Sequence, residues 1–226
     1  MAQTREIHFT ASESRGQVTG WLSRPADARW LLVMGHGAGA GPRHVFLETA
    51  ASRLADRGIA TFRYAFPYAE KGGRRPDPRP VLLATVRSAV DAARREAGDL
   101  PLLAGGKSMG GRMTSLASAE APLPGVAGIA FFGFPLHPAG RPPGDRAEHL
   151  AHVKVPMLFL QGTRDRLADL DLLRPVCAAL GERAQLHVVE GADHSFHVLK
   201  RSGRTPDQVM DELADAVCDW AAEIVS

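Results

Sequence analysis

Short, continuous apolar runs alternate with longer amphipathic stretches along most of the chain. The runs at residues 30–34, 59–63 and 126–132 have the length and uniform hydrophobicity of strands that are covered on both faces. Residues 44–57 place apolar side chains at helical spacing. Because strands and helices alternate, we predict an α/β fold with a mostly parallel sheet and helices on both faces. The other predicted strands are at 7–9, 18–23, 102–104, 156–160 and 185–189, which gives a sheet of about seven or eight strands. The other predicted helices are at 81–97, 109–119, 167–180 and 206–224.

Length and composition exclude several classes of protein. A chain of 226 residues is long enough for one α/β domain over residues 1–226. A formal net charge of +2 does not favour general binding to nucleic acid or to acidic membranes. The N-terminus lacks the apolar core of a signal peptide and no apolar run is long enough to span a bilayer, so we expect a cytoplasmic protein. No metal is expected, because the pair His149-x-x-His152 has no evident third ligand, and no cofactor is expected either.

The segment Gly106-Lys107-Ser108-Met109-Gly110 matches the pattern G-x-S-x-G between a predicted strand and a predicted helix. A serine on such a turn has a strained backbone and an exposed hydroxyl, and the flanking glycines allow strand and helix to pass closely. A phosphate-binding P-loop would end in the same Gly-Lys-Ser letters, but its required first glycine falls at Pro101. The remaining alternative is an ordinary glycine-rich turn in which Ser108 caps the helix.

An acid and a histidine follow later strands in the order that a serine nucleophile requires. Asp165 comes directly after the strand predicted at 156–160, and His194 lies on the loop after the last predicted strand. A histidine takes the proton of the serine, and an acid orients the histidine and stabilises its charged form. As alternatives, Asp165 caps the next helix and His194 is an ordinary surface residue. The nearby competitors are Asp169, Asp171 and His197, and the two aspartates fall inside the predicted helix.

A glycine-rich loop after the strand at 30–34 is expected to supply part of an oxyanion hole. Its segment His36-Gly37-Ala38-Gly39 resembles an HGGG-type loop. We expect the backbone N–H groups of Met109 and Ala38 to be the donors, with Gly37 as the second choice in the loop. The same loop also fits a dinucleotide fingerprint, Gly35-x-Gly37-x-x-Ala40. Such a site needs an acidic residue at the end of the next strand to bind ribose, and Arg63-Tyr64 is found there instead. Because an arginine can bind a 2′-phosphate, the alternative is an NADP-dependent reductase. It leaves Ser108, Asp165 and His194 unexplained.

With these motifs, the chain resembles the α/β-hydrolase superfamily. Within it, the chain is similar to the small, capless branch of dienelactone-hydrolase-like proteins and Tex/KANL-type hydrolase-like proteins. The stretches that carry the resemblance are His36-Gly-Ala-Gly-Ala, Phe66-Pro-Tyr68, Gly106-Lys-Ser-Met-Gly-Gly-Arg112, Phe132-Gly-Phe-Pro-Leu-His137, Leu160-Gln-Gly-Thr-Arg-Asp165 and Asp193-His194. The resemblance implies an α/β-hydrolase fold with a minimal cap or none, Ser108 as nucleophile, Asp165 as orienting acid and His194 as base. Dienelactone hydrolase itself has a cysteine nucleophile, so its lactone substrate does not carry over.

The sequence therefore predicts a serine hydrolase that acts on small carboxylic esters. The alternative is a catalytically idle hydrolase fold used for binding or as a scaffold. We expect an open site shaped by the loops at 64–80 and 136–146, with substrate contacts from His36, Gly37, Tyr68 and Lys107. The cations expected to border the site and to favour an anionic substrate are Lys107, Lys71, Arg74, Arg75 and Arg43. Acyl chain length, the choice between ester, thioester and amide, and the oligomeric state stay open.

Overall fold

A computed structural model describes residues 3–137 and 145–224 and places eight strands in one sheet, in the order β1-β2-β4-β3-β5-β6-β7-β8. The strands are β1 Gln3–Ser12, β2 Gly16–Arg24, β3 Trp30–Gly35, β4 Ile59–Tyr64, β5 Leu102–Lys107, β6 Val126–Phe132, β7 Met157–Gly162 and β8 Ala184–Val189. The α-helices are α1 Val45–Ala55, α2 Pro67–Glu70, α3 Arg79–Ala97, α4 Met109–Glu120, α5 Leu170–Leu180 and α6 Pro206–Ile224. The first two strands pair antiparallel with each other and with β4, and the strands from β4 to β8 pair parallel. The predicted fold class is confirmed.

Two apolar layers, one on each face of the sheet, form the core. Successive side chains of a strand point to opposite faces, so Leu31 and Val33 join one layer while Leu32 and Met34 join the other. The helices α3, α4 and α5 cover the first layer, and α1 and α6 cover the second. Strands buried on both faces explain the continuous apolar runs in the sequence.

Several predicted boundaries differ from the structure, for local reasons. Strand β5 continues through Gly105 and Gly106 to Lys107, because glycine can adopt the positive φ values of 151° and 142° found there and still pair with both neighbouring strands. Helix α5 begins at Leu170 rather than at residue 167, because the Asp169 side chain caps it by accepting a hydrogen bond from the Asp171 N–H. Asp169 is therefore a cap and does not lie inside the helix.

The two loops that were predicted to shape the site contain short helices. The loop at 64–80 contains α2, which begins at a proline. In the loop at 136–146, residues 138–144 lie outside the described residues, and a 3₁₀ helix, Asp145–His152, follows them. This helix is the only regular element described between β6 and β7, which agrees with the predicted absence of a cap. Among the helices of the described ranges, none is long and apolar enough to cross a membrane.

Candidate active site

Ser108 lies on a strained turn between β5 and α4, at the carboxyl edge of the sheet. Its φ is 50° and its ψ is −110°, a region that residues other than glycine rarely occupy. Its side chain makes no capping hydrogen bond to the helix that follows. The alternative in which Ser108 is an ordinary helix cap is therefore wrong, and its hydroxyl is free for another partner.

The glycines around Ser108 are required by close approaches of backbone to backbone. A Cβ atom added to Gly106 or to Gly110 would lie 2.1 Å from the carbonyl oxygen of Gly35, at the end of β3. No side chain fits at that distance. The G-x-S-x-G spacing therefore lets the loop after β3 lie directly against the Ser108 turn, as the sequence predicts.

The structure brings together the three side chains that the sequence predicts for the site. The His194 Nε2 atom is 2.9 Å from the Ser108 Oγ atom, and the His194 Nδ1 atom is 2.7 Å from Asp165 Oδ2. Both distances are those of hydrogen bonds. With Nδ1 donating to the carboxylate, Nε2 is left as the acceptor for the serine proton. The three side chains come from the loops after β7 and β8 and from the turn after β5.

Asp165 is nearly fully buried, with 1% of its side chain exposed. Burial alone would raise the pKa of this carboxyl, but the hydrogen bond and charge of His194, together with the Leu167 N–H and the Gln161 amide, hold its pKa below the ordinary value. Asp165 Oδ1 accepts from Leu167 N–H at 2.8 Å, and Oδ2 accepts from Gln161 Nε2 at 2.6 Å. The carboxylate is therefore ionised and fixed in position at neutral pH. Because α5 begins five residues later, the alternative role of Asp165 as helix cap is also wrong.

Gln161 is a site residue that the sequence analysis missed. It is fully buried near the end of β7, where its Nε2 donates to Asp165 and its Oε1 accepts from the Phe134 N–H at 3.1 Å. A buried amide must have its hydrogen bonds satisfied, so this pair of bonds fixes the orientation of Gln161 and with it the carboxylate. The signal in the sequence is a single polar residue at the end of an otherwise apolar strand.

Asp193 and Lys107 hold the turn that carries His194. The Asp193 Oδ1 atom accepts the N–H groups of Ser195 and His197 at 2.8 Å and 3.0 Å. The Lys107 Nζ atom donates to the His194 carbonyl oxygen at 2.5 Å. Lys107 was predicted to contact substrate, whereas the structure directs its ammonium group to the backbone of the histidine. His197, the competing histidine, lies mostly exposed on the outer side of this turn.

The Lys107 ammonium group is half-buried between aromatic rings. It lies 5.7 Å from the ring centroid of Phe46 and 5.4 Å from that of Phe196. Burial lowers the pKa of Lys107 to about 8, although the charges of Asp165 and Asp193 oppose this shift. The charge of Lys107 therefore changes close to neutral pH.

The loop after β3 lies beside Ser108 and is fixed by His36. The His36 Nδ1 atom donates to the Gly37 carbonyl oxygen at 2.9 Å, and Nε2 accepts from the Phe66 N–H at 3.2 Å. His36 is fully buried, and burial lowers its pKa to about 4. With both ring nitrogens engaged, His36 holds the loop and offers no free polar group to a substrate. It also lines an apolar cavity beside the site, so its predicted contact with substrate stays a prediction. Tyr68 is also buried, and its hydroxyl reaches the Gly37 carbonyl at 3.5 Å.

The two N–H groups predicted for an oxyanion hole lie on the loop and on the first turn of α4. Within residues 3–137 and 145–224, neither the Ala38 N–H nor the Met109 N–H has a protein acceptor. Gly37, which precedes Ala38, lies beside the serine, since a Cβ atom added there would be 3.9 Å from the Ser108 Cβ atom. Two unpaired donors therefore flank the serine, as such a site requires.

An apolar cavity of about 350 Å³ lies beside this arrangement, between α1 and α6. Its lining residues include Gly37, Ala40, Phe46, Lys107, Ser195 and Met210. Gly37, Lys107 and Ser195 are neighbours of the serine–histidine pair, so the cavity is next to the reactive hydroxyl. It is large enough for a small acyl or alkyl group.

A second serine–histidine pair lies on the other side of Ser108. The Ser115 Oγ atom is 2.8 Å from His149 Nε2. Ser115 is fully buried and donates to the Arg112 carbonyl oxygen, so it is not accessible to a substrate. Burial and the charge of Arg112 lower the pKa of His149 to about 4, and no carboxylate within 4 Å orients its ring in the described part of the chain. This pair has a structural role.

The alternative of a dinucleotide site does not fit the structure. In that motif the glycine-rich turn opens directly into a helix. Here α1 begins only at Val45, five residues after Ala40. Arg63, the candidate partner of a 2′-phosphate, is buried and donates to the Pro42 carbonyl oxygen instead. Across the described ranges, no group of three or more His, Cys, Asp or Glu side chains is arranged to hold a metal ion.

Comparisons with known proteins were made for the sequence and for the structure. Residues 28–222 match the protein family described as "Alpha/beta hydrolase domain". The chain is 27% identical, over 209 residues, to two Mycobacterium tuberculosis proteins that each carry the name "Putative phosphoribosyl transferase". The match covers 90% of this chain and 43% of those proteins, so the chain spans less than half the length of the curated relatives it matches.

The structure resembles those of several hydrolases. A dienelactone hydrolase from Anabaena variabilis superposes with a TM-score of 0.76 at 20% identity, over 100% of this chain and 99% of that one. A serine hydrolase without a lid from Xanthomonas campestris superposes with a TM-score of 0.73 at 18% identity, over 96% and 95% of the two chains. A cold-adapted esterase from an Arctic intertidal metagenomic library gives 0.69 at 20% identity, over 100% and 95%. At these identities the likeness establishes the fold.

Proposed function

The chain belongs to the α/β-hydrolase family, and from this premise we propose that it is a serine hydrolase that cleaves small carboxylic esters by acyl transfer. The observation that carries the proposal is the hydrogen-bonded series from Ser108 Oγ through the His194 ring to Asp165, at 2.9 Å and 2.7 Å. A serine nucleophile, a base and an orienting acid within hydrogen-bond reach are the features required for acyl transfer.

The first half of the proposed reaction forms an acyl-enzyme. Ser108 Oγ attacks the ester carbonyl carbon while His194 Nε2 takes the hydroxyl proton. The N–H groups of Met109 and Ala38 donate to the oxyanion, and Asp165 stabilises the charged imidazole. When the tetrahedral intermediate collapses, the bond to the alcohol breaks and His194 gives its proton to that leaving group.

The second half of the reaction releases the acid. A water molecule gives a proton to His194 Nε2 and attacks the acyl carbon, and the Ser108 oxygen leaves with the proton that His194 returns. The apolar cavity of about 350 Å³ supports a small acyl or alkyl group as the part of the substrate bound beside Ser108.

The proposal is tested by Ser108→Ala with p-nitrophenyl acetate as substrate. We expect kcat to fall by roughly 10³-fold or more, because the covalent step is lost. Ser115→Ala is the matched control, since Ser115 also bonds to a histidine but is buried away from solvent. That variant is expected to keep kcat within about threefold of the wild type.

A fluorophosphonate probe separates the proposed enzyme from the idle hydrolase fold. The probe reacts with an activated serine and is expected to label Ser108 in the folded protein. A folded protein that neither reacts with the probe nor hydrolyses the ester would instead support a role in binding.

A further inference from the structure

Three arginines from three different elements converge at the carboxyl edge of the sheet, on the side of Ser108 away from the apolar cavity. Arg79 is the first residue of α3, Arg112 lies in the first turn of α4, and Arg146 lies at the start of the 3₁₀ helix Asp145–His152. Helices α3 and α4 pack together, and the 3₁₀ helix packs against α4. We refer to Arg79, Arg112 and Arg146 as the arginine cluster.

The arginine cluster has no carboxylate partner in the described part of the chain. None of its three guanidinium groups lies within 4 Å of an acidic oxygen there, and none donates a hydrogen bond there. The Nε atom of Arg112 is buried without a partner. A buried donor without an acceptor is costly unless a ligand supplies one.

The members of the arginine cluster act on one another electrostatically. Burial, followed by the charges of Arg146 and Arg79, lowers the pKa of Arg112 to about 10, and only Asp145 opposes the shift. Burial, together with the charges of Arg112 and Arg79, also lowers the pKa of His149 to about 4, so this histidine is neutral at pH 7. Three guanidinium groups facing one carboxylate leave an excess of two positive charges, which an anion would relieve.

The surrounding backbone also favours an anion. Helices α3 and α4 both begin here without a side-chain cap and without an acidic residue in the first turn. Their N-terminal N–H groups and dipoles therefore add to the positive potential.

We propose that the arginine cluster binds a phosphate group carried by the substrate. A phosphate monoester carries a charge of about −1.5 to −2 at pH 7, which matches the local excess of two positive charges better than one carboxylate does. Its three terminal oxygens suit the paired N–H donors of guanidinium groups. This inference rests on the proposed esterase function, because it defines the substrate class of the same site.

Arg112 connects the arginine cluster to the Ser108 turn through the first turn of α4. The Arg112 N–H donates to the Ser108 carbonyl oxygen at 3.1 Å, so the two residues are one helical turn apart. Side chains of a helix lean toward its N-terminus, which directs Arg112 back toward Ser108. A substrate with its ester at Ser108 can therefore place an anionic group among the arginines.

Direct binding tests the site without any turnover. Inorganic phosphate is titrated calorimetrically into wild-type protein and into Arg79→Gln, Arg112→Gln and Arg146→Gln. We expect each substitution to raise the phosphate Kd by about tenfold, the effect of one charge-assisted bond. Arg94→Gln is the matched control, because Arg94 lies in the last turn of α3 and is exposed. If Arg112→Gln does not fold, Arg79→Gln and Arg146→Gln still test the site, because Arg79 is exposed and Arg146 is half-buried.

Substrate preference tests whether the phosphate belongs to the substrate. In wild-type protein, we expect kcat/KM for 2-acetoxyethyl phosphate to exceed that for the neutral 2-methoxyethyl acetate by about tenfold or more. In Arg79→Gln and in Arg146→Gln, this preference is expected to fall about tenfold. The carboxylate 3-acetoxypropanoate is the third substrate. An equal or greater preference for the carboxylate would overturn the choice of phosphate.

The outcomes separate this inference from the proposed function. Ester hydrolysis that depends on Ser108, with no phosphate binding at millimolar concentration, would overturn the inference and leave the esterase proposal intact. Phosphate binding that depends on the arginines, in a protein that the fluorophosphonate probe does not label, would overturn the esterase proposal and leave the anion site. Binding of inorganic phosphate without preference for the phosphorylated ester would overturn the assignment to the substrate.

Discussion

The two sides of the Ser108 turn differ in what they offer a ligand. On one side, α1 and α6 enclose the apolar cavity lined by Ala40, Phe46 and Met210. On the other side, α3, α4 and a 3₁₀ helix bring the arginine cluster together. The same β5–Ser108–α4 turn lies between them. A parallel sheet with helices on both faces thus gives one nucleophile two different surroundings, and the difference comes from the helices rather than from the strands.

Each side contains a histidine, fully buried for His36 and half-buried for His149, and burial is the main cause that keeps both neutral, with an added contribution from arginine charges at His149. Both pKa values are lowered to about 4. For His36 on the apolar side, burial is the main cause, since the ring packs against Phe66 and Tyr68. For His149, burial acts together with the charge of Arg112. The comparison therefore predicts that acid protonates both histidines over the same pH range, whereas a bound anion changes the pKa of His149 alone.

The largest effect is expected for the stability of the protein in acid. Because the pKa of His36 is lower in the folded chain than in the unfolded chain, protons favour the unfolded state as the pH falls from about 6.5 to 4. Above pH 6.5 this loss is absent. A shift from 6.5 to about 4 corresponds to about 3 kcal/mol of stability lost over that interval. Denaturant unfolding measures the free energy of unfolding at pH 7 and at pH 4. The difference between these two values should be smaller in His36→Gln than in the wild type by about that amount. His8→Gln, on an exposed strand position, is the control.

Phosphate distinguishes the two histidines. An anion bound by the arginine cluster would offset the charge of Arg112, so the pKa of His149 should rise on addition of phosphate while that of His36 does not change. Proton NMR titration of the two imidazoles measures both values in one sample. If phosphate changed both pKa values equally, or changed only that of His36, the proposed difference between the two sides would be wrong.

The sequence predicted Ser108 and its two partners, but neither the apolar cavity between α1 and α6 nor the arginine cluster. Ser108, Asp165 and His194 lie at strand ends in a fixed order, so local patterns place them at one edge of the sheet. The arginines come from separate helices, and no periodic pattern relates Arg79 to Arg146. Of the cations expected to border the site, Lys71, Arg74 and Arg75 are exposed on the loop at 64–80, and their part in substrate binding stays a prediction.

The hydrogen bonds of the site residues show where sequence reasoning stopped. His36 and Lys107 were expected to contact substrate because they flank the motifs, and both line the apolar cavity. Their polar atoms also bond to backbone carbonyls, those of Gly37 and His194. Gln161 had no predicted role, because its two partners come from the ends of β6 and β7. Such hydrogen bonds depend on the packing of neighbouring loops, which periodicity does not encode.

An intermediate effect is expected when the apolar side is filled. Ala40→Leu adds three carbon atoms to the wall of the cavity of about 350 Å³. The ratio of kcat/KM for p-nitrophenyl butyrate to that for the acetate should fall about tenfold, because one or two methylene groups are excluded from an apolar pocket. Ala26→Leu, in an exposed turn, should leave the ratio unchanged.

The outcome of this substitution also tests whether the two sides act separately. The preference for a phosphorylated over a neutral acetate should not change in Ala40→Leu, since the arginine cluster lies on the other side. If filling the cavity leaves the acyl-chain preference unchanged, the cavity does not hold the acyl group.

The smallest effect is expected for Lys107, which lines the apolar cavity and also bonds to the backbone of His194. Its ammonium group bonds to the His194 carbonyl oxygen, so Lys107→Met should loosen the histidine and lower kcat about fivefold, with less change in KM. Lys107→Arg keeps a cation and should recover part of the loss.

The pH profile separates this positioning role of Lys107 from a loss of packing. The pKa of Lys107 is about 8, so its charge is lost as the pH rises through that value, and the bond to the His194 carbonyl weakens. In wild-type protein kcat should therefore decline between pH 7 and pH 9, and in Lys107→Met this part of the decline should be absent. If kcat is lower in Lys107→Met but still declines between pH 7 and pH 9 as it does in the wild type, Lys107 acts through packing alone. In that case Asp165 and the turn held by Asp193 would fix the histidine, and the charge on the apolar side would have no part in the reaction.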